Sequence, residues 1–146
     1  MKKIFIPLVL LLIAGLLAGC ADSIDSRLPD EPYEFVMGDF VNPDDASDEY
    51  SSVTYLNRVY IPFGTLNGKL KDEDVGSCLG YLMLGGTAVE QVLFFPLTED
   101  ENNDFLACLD RRSYKKETVF YRAIDTVGTN VEIPKIIRPS SDKFWQ

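Results

Sequence analysis

The chain holds 23 acidic residues and three cysteines but no histidine, which limits the chemistry open to it. Without imidazole there is no ordinary general base near neutral pH, no Ser-His-Asp or Cys-His arrangement, and no common zinc ligand. No Gly-rich phosphate loop or dinucleotide fingerprint is present. Asp100, Asn102 and Asp104 stand at positions 1, 3 and 5 of a calcium-loop pattern, which then requires glycine at position 6 and glutamate at position 12. The chain has Phe105 and Arg111 at those places, so the pattern fails where it is most demanding. Asp44, Asp45, Asp48 and Glu49 also lack the spacing. Solvated acidic loops are expected in both places, and no metal ligands and no cofactor are assigned. Paired carboxylates can hydrolyse a glycoside, but no pair here stands in an aromatic, sugar-like setting. A small carboxylate-dependent hydrolase is therefore the remote reading. A protein with no catalytic residue, not an enzyme, is the expected one.

Cys20 closes a different pattern. Lys2 and Lys3 precede an apolar run over residues 4–18, about 15 residues against the roughly 20 that span a bilayer as a helix. Positive charge, a short apolar run and small residues before the break are the layout of a secretory signal peptide. The final Leu17-Ala18-Gly19-Cys20 resembles the bacterial lipobox. The resemblance implies removal of residues 1–19 and lipidation of Cys20 with a diacylglycerol, which brings two acyl chains such as palmitate. Each buried CH₂ of those chains contributes roughly 0.8 kcal/mol to anchoring. It also implies an extracytoplasmic address in the cell envelope. Ala21, rather than aspartate, follows the cysteine. That permits delivery to an outer membrane if the organism has one, and otherwise to the outer face of the cell membrane. The competing reading is a short uncleaved anchor with Cys20 incidental.

Without residues 1–19 the chain keeps 12 basic against 23 acidic residues, a formal charge of about −11. That balance argues against nucleic acid, which is held by Lys and Arg on phosphates. It also argues against a second, electrostatic grip on anionic lipid. Cys78 and Cys108 then remain as an even pair in an oxidising compartment. A disulfide between them closes a loop of about 31 residues and is worth roughly 3–4 kcal/mol in the chain-entropy model. The alternatives are two buried thiols or, least in keeping with the lack of histidine, a nucleophile.

The elements that must position these residues read as short strands. Residues 20–34 form the lipidated cysteine and a polar tether, 35–139 a single β-rich domain, and 140–146 a loose tail in which Phe144 and Trp145 are able to dock. Within the domain, residues 35–41 suggest a first strand and 42–52 (NPDDASDEYSS) an acidic loop. Residues 53–63 (VTYLNRVYIPF) alternate at period two, with Asn57 out of step, and read as one strand. Asn67-Gly68 marks a hairpin turn. Residues 72–84 are ambiguous, and a single helical turn near 72–78 followed by a strand near 78–84 is expected. Gly85-Gly86 turns into a strand over 89–97. An acidic loop over 98–104, a strand at 105–109, a basic turn at 111–116 (RRSYKK) and a strand at 118–124 follow. Residues 131–137 add a final strand interrupted by Pro134.

Five to seven short strands predict a mainly β fold, a small antiparallel sandwich or barrel, with α+β as the rival. The segments YIPFGTL, EDVGSCLGYL, VLFFPL and NNDFLACL set Gly76 and Gly80 in an Asp-Val-Gly-x-x-x-Gly-Tyr context. Over about 50 residues they resemble small secreted domains of uncharacterised bacterial lipoproteins. The resemblance implies strands and no activity. The function expected is a lipid-anchored binding domain with a protein or glycan partner in the envelope. The alternative is an inhibitor-like, immunity or assembly lipoprotein whose acidity suits a basic partner.

Overall fold

The period-two run at 53–63 breaks at its odd residue, where the chain reverses. The computed structural model describes residues 24–112 and 117–146. In it Leu56 and Asn57 both take positive φ, 47° and 63°. Two left-handed residues in succession make the hairpin turn whose twist matches that of its flanking strands. Tyr55 accordingly pairs with Arg58. β2 (Asp45–Tyr55) ends at this turn and β3 (Arg58–Leu66) begins after it. The single strand expected over 53–63 is therefore parts of two.

The acidic loop expected at 42–52 is also strand. β1 (Tyr33–Asn42) and β2 form an antiparallel hairpin paired from Met37↔Val53 to Asn42↔Asp45. Residues 45–51 of β2 are exposed or half-buried, so no apolar alternation announces them. Their strand character rests on backbone pairing, which composition does not display.

The remaining strands are β4 (Gly80–Leu84), β5 (Thr87–Pro96), β6 (Phe105–Asp110), β7 (Glu117–Ala123) and β8 (Ile137–Pro139). Gly85 and Gly86, at φ 57° and 79°, make the expected tight turn between β4 and β5. The sheet runs β1-β4-β5-β6-β7-β3-β2, and the β2–β1 pairing closes it into a seven-stranded barrel. β8 adds to β3 beside the closure, at Gly64–Leu66. One ladder is not antiparallel: β1 and β4 pair in parallel, from Tyr33↔Gly80 to Val36↔Met83. A Cβ at Gly80 would run into the Tyr33 carbonyl, so this close approach needs glycine.

The chain reaches β4 by crossing the outside of the barrel through residues 67–79. Asn67-Gly68 opens this crossover rather than a hairpin. The Asn67 amide donates to the Ile136 carbonyl (2.7 Å), a partner far along the chain. The helical turn expected near 72–78 is one 3-10 turn, Asp72–Asp74. Beyond it the backbone is extended, and the Gly76 and Leu79 amides donate to the Pro96 and Phe94 carbonyls, both at 2.9 Å.

Two apolar cores follow from this path. The barrel interior is filled by Phe35, Val53, Tyr60, Phe94, Leu106 and Tyr121 with smaller neighbours, and Phe35 stacks on Phe94 with ring centroids 4.1 Å apart. The second core lies on the outer face of β3, β5, β6 and β7, where Phe63, Leu93, Phe95, Phe105 and Phe120 are buried. Its cover comes from Leu70 and Val75 of the crossover, from Val131, Ile136 and Ile137, and from Ile24 and Trp145. This explains the unbroken apolar runs of β5 and β6, which are buried on both faces.

Ahead of β1, Ile24 is 8% exposed in the outer core. Its carbonyl accepts from Arg111 Nη2 (3.2 Å), and the Asp25 amide donates to Asp72 Oδ1 (3.0 Å). Within the tether expected over 20–34, Ile24 and Asp25 are thus fastened to the domain, whereas residues 27–31 are exposed. At the C-terminal end, Trp145 Nε1 donates to the Pro62 carbonyl (3.2 Å) and its ring lies 4.9 Å from the Arg122 guanidinium. Phe144 packs edge-on to Phe40 (5.3 Å), and Tyr50 donates its hydroxyl to Asp142. The tail therefore docks and ties the β1–β2 ribbon to the barrel. Deleting residues 140–146 is expected to cost about 2–4 kcal/mol, from lost aromatic packing and the cation–π contact. Urea unfolding of the truncated and full chains checks this.

Candidate functional site

Among the described residues the barrel interior is packed with large, fully buried side chains, Phe35, Tyr60, Phe94 and Leu106 among them. Concave surface lies instead along the outer layer, and the acidic loop at 97–104 builds one wall of it. Arg58 holds that loop in place. Its guanidinium pairs with Asp104 Oδ1 and Asp125 Oδ1, both at 2.8 Å, and donates to the carbonyls of Asn102 (2.9 Å) and Asn103 (3.1 Å). Tyr60 adds a hydroxyl bond to the Asn103 carbonyl at 2.6 Å, and Asn103 takes φ 53° to present it. The hydrogen bonds to Asp125 push Arg58 above its ordinary range, and the same contact holds Asp125 below the usual carboxylate value. Burial pushes the Tyr60 hydroxyl up to about 12.

The residues that suggested a calcium loop are committed to this clamp. Asp104 faces Arg58, Asn102 gives Arg58 its carbonyl, and Asp100 Oδ2 accepts the Phe105 amide at 2.7 Å. Burial raises Asp100 above its ordinary value. Among the described residues no group of three His, Cys, Asp or Glu is arranged to hold a metal ion.

Opposite this loop runs the segment at 130–136, and between the two lie three adjoining cavities of about 280, 200 and 340 Å³. Glu99 borders all three, and Glu132 borders two. Glu73 and Asp74 of the crossover close one end, and Glu101 and Asp104 the other. The floor is apolar at the crossover end, where Leu97, Pro134 and Ile136 line it, and becomes polar toward Glu101 and Asp104, where Val131 is the apolar lining residue; Ile133 is exposed. Nearby cations are few: Lys71 pairs with Glu73 (3.6 Å), Arg58 is engaged at Asp104, and Lys135 stands on the rim. A groove with an acidic rim and a partly apolar floor suits lysine and arginine side chains, whose stems pack on the floor while their heads meet the carboxylates.

The structure separates the two candidate disulfide cysteines. Cys78 and Cys108 are unbonded, buried thiols. Cys108 points into the barrel, paired across the ladder with Phe94, whereas Cys78 belongs to the outer core. The sheet itself stands between them, so the second expectation, two buried thiols, describes the structure. Burial pushes the Cys108 thiol up to about 12 and raises Cys78 as well, which makes both poor nucleophiles. Cys20 and the signal segment lie outside the described residues, as do Ser113, Tyr114, Lys115 and Lys116 of the basic turn. Of that turn, Arg111 reaches the Ile24 carbonyl and Arg112 pairs with Asp110 at 2.7 Å.

Glu73, Glu99 and Glu132 stand out as a group only in the folded chain. Each sits in an ordinary acidic stretch, and nothing local announces that 97–104 and 130–136 run side by side. Comparison with protein-family models, with curated proteins and with solved structures finds no match to this chain.

Two outcomes are expected here. Arg58→Ala unclamps the loop and costs about 1–2 kcal/mol after solvent screening. Because Asp125 lies below its ordinary 3.8, the stability it contributes is complete above that pH and fades as pH falls through the lower folded value. The gap between Arg58→Ala and the parent chain should therefore narrow in acid, read from urea midpoints between neutral pH and pH about 3. Separately, a thiol reagent without reductant should find both Cys78 and Cys108 after unfolding and neither, on the same timescale, in the native protein.

Proposed function

We propose that this chain is a lipid-anchored protein of the bacterial cell envelope that acts by binding rather than by catalysis. The observation that carries the address is Leu17-Ala18-Gly19-Cys20 directly after a lysine-led apolar run. Support for binding comes from a filled barrel interior, buried high-pKa thiols and a solvent-open groove rimmed by Glu73, Glu99, Glu101 and Glu132. The groove favours a protein partner that offers a basic segment over a glycan. This brings the inhibitor-like or assembly-factor reading close to the first, since either role needs such a face. A carboxylate-dependent hydrolase has less support. Asp100, raised by burial, is held by the Phe105 amide instead of standing free for a proton transfer.

Two variants test this reading. Cys20→Ala should stop incorporation of labelled palmitate and leave the protein unprocessed or released from membranes. Paired Glu99→Lys and Glu132→Lys, folded as judged by circular dichroism, should lose partners cross-linked to the parent protein in intact envelopes. Undiminished palmitate labelling would remove the anchor, and unchanged cross-links would remove the groove as the binding face.

A further inference from the structure

The β1–β2 ribbon outruns the strands beside it. β4 pairs with β1 only from Tyr33 to Val36, whereas the pairing of β1 with β2 runs on from Met37 to Asn42. Beyond Val36 the other side of β1 has no strand partner among the described residues. Alternation says which backbone groups face that open side. The Tyr33 amide donates toward β4, to the Leu79 carbonyl (2.9 Å). Every second residue repeats that direction, so the amides and carbonyls of Asp39 and Val41 point to the open edge. The opposite edge of the ribbon is blunted. Residues 46–48 of β2 bulge from the ladder between Val41↔Glu49 and Asn42↔Asp45, and the C-terminal tail docks beside them through Asp142 and Phe144.

The side chains at the β1 edge are of two kinds. Val36, Val41 and Leu84 are large, apolar and exposed. Asp39 and Glu49 share one face of the ribbon with Val41, and both are exposed. From Tyr33 to Asn57 the chain has six carboxylates and no lysine or arginine. Pairing two copies of this edge would bring like charges together, which opposes self-association. An extended chain that carries cations meets no such barrier.

We propose that residues 38–42 of β1 form a strand-addition site for an extended segment of a partner protein in which lysine or arginine alternates with apolar residues. The incoming strand continues the line of β4 and hydrogen-bonds to the backbone of Asp39 and Val41. Its alternate side chains fall on opposite faces. On one face its cations meet Asp39 and Glu49, with their stems along Val41 and Leu84. On the other its apolar side chains meet Val36 and Phe40. The site stands apart from the groove and does not depend on it or on the lipid anchor. β1 runs parallel to β4 and so against β5, and β5 ends at the 97–104 loop. The open edge therefore lies at the barrel end opposite that loop.

The probe is a dye-labelled synthetic peptide of alternating lysine and valine, titrated onto the protein as isolated from cells in neutral detergent. Fluorescence anisotropy reads binding, and hydrogen–deuterium exchange with fragment mass spectrometry locates it. The peptide should bind and slow exchange at the Asp39 and Val41 amides. A glutamate–valine peptide should not bind. The lysine–valine peptide N-methylated along its backbone keeps its charge but loses its strand hydrogen bonds, and should bind at least about tenfold more weakly. Val41→Pro removes an amide that points out of the β1–β2 ladder, so the fold should persist by circular dichroism while affinity falls by about the same factor. Binding that N-methylation leaves unchanged overturns the proposal without needing a folded variant. Failure of the lysine–valine peptide to bind overturns it too, as does protection confined to 97–104 and 130–136, which would put the peptide in the groove. Self-association of the parent protein that Val41→Pro abolishes would make a second copy the occupant and overturn the partner assigned here.

Discussion

Burial of one sheet region on both faces is the constraint on which the rest of the structure depends. Strands β5, β6 and β7 carry apolar side chains on both surfaces, so each surface needs its own cover. Barrel closure supplies the inner one, through Phe35 of β1, Val53 of β2 and Tyr60 of β3. The outer cover has no further sheet to draw on. It is assembled from the crossover, the segment before β8, Ile24 and Trp145. Segments with little regular structure are therefore docked because phenylalanines would otherwise face water.

The same constraint places the candidate binding face and the cysteines. Cover pieces laid side by side over an apolar surface leave a seam, and the groove is the seam between the 97–104 loop and residues 130–136. Its floor is core residues glimpsed through the gap, and its rim is the solvent side of the covering chain, rich in carboxylates. Arg58 keeps one lip of the seam in a fixed shape by gathering Asp104, Asp125 and two carbonyls around a single guanidinium. Cys78 belongs to the cover and Cys108 to the barrel interior, so topology keeps apart the two thiols that the expectation of an oxidising compartment had paired.

What was legible in the residues follows the same division. β5, β6 and β7 were visible because burial on two faces writes unbroken apolar runs, and the Gly85-Gly86 turn was visible because positive φ selects glycine. The β1–β2 ribbon was hidden because its outer half is solvated and its pairing is carried by the backbone. The turn at Leu56-Asn57 was masked because leucine rarely occupies a left-handed position. The helical turn was foreseen near Asp72 but is shorter than expected, since Gly76 and Leu79 find sheet partners instead. The parallel β1–β4 contact left only Gly80 as its trace. The groove left none, because Glu73, Glu99 and Glu132 meet through pairings between distant segments. The proposed anchor is the reverse case: the lipobox resemblance that suggests it lies in four residues and is independent of the fold.

The most direct test of this protein as an anchored binding domain is the mass of its N-terminal tryptic peptide after isolation from membranes. Cleavage before Cys20 and after Arg27 should give a peptide of residues 20–27 carrying diacylglycerol and acyl mass on its first residue. The same residues recovered unmodified, or joined to the apolar run that precedes them, would contradict it.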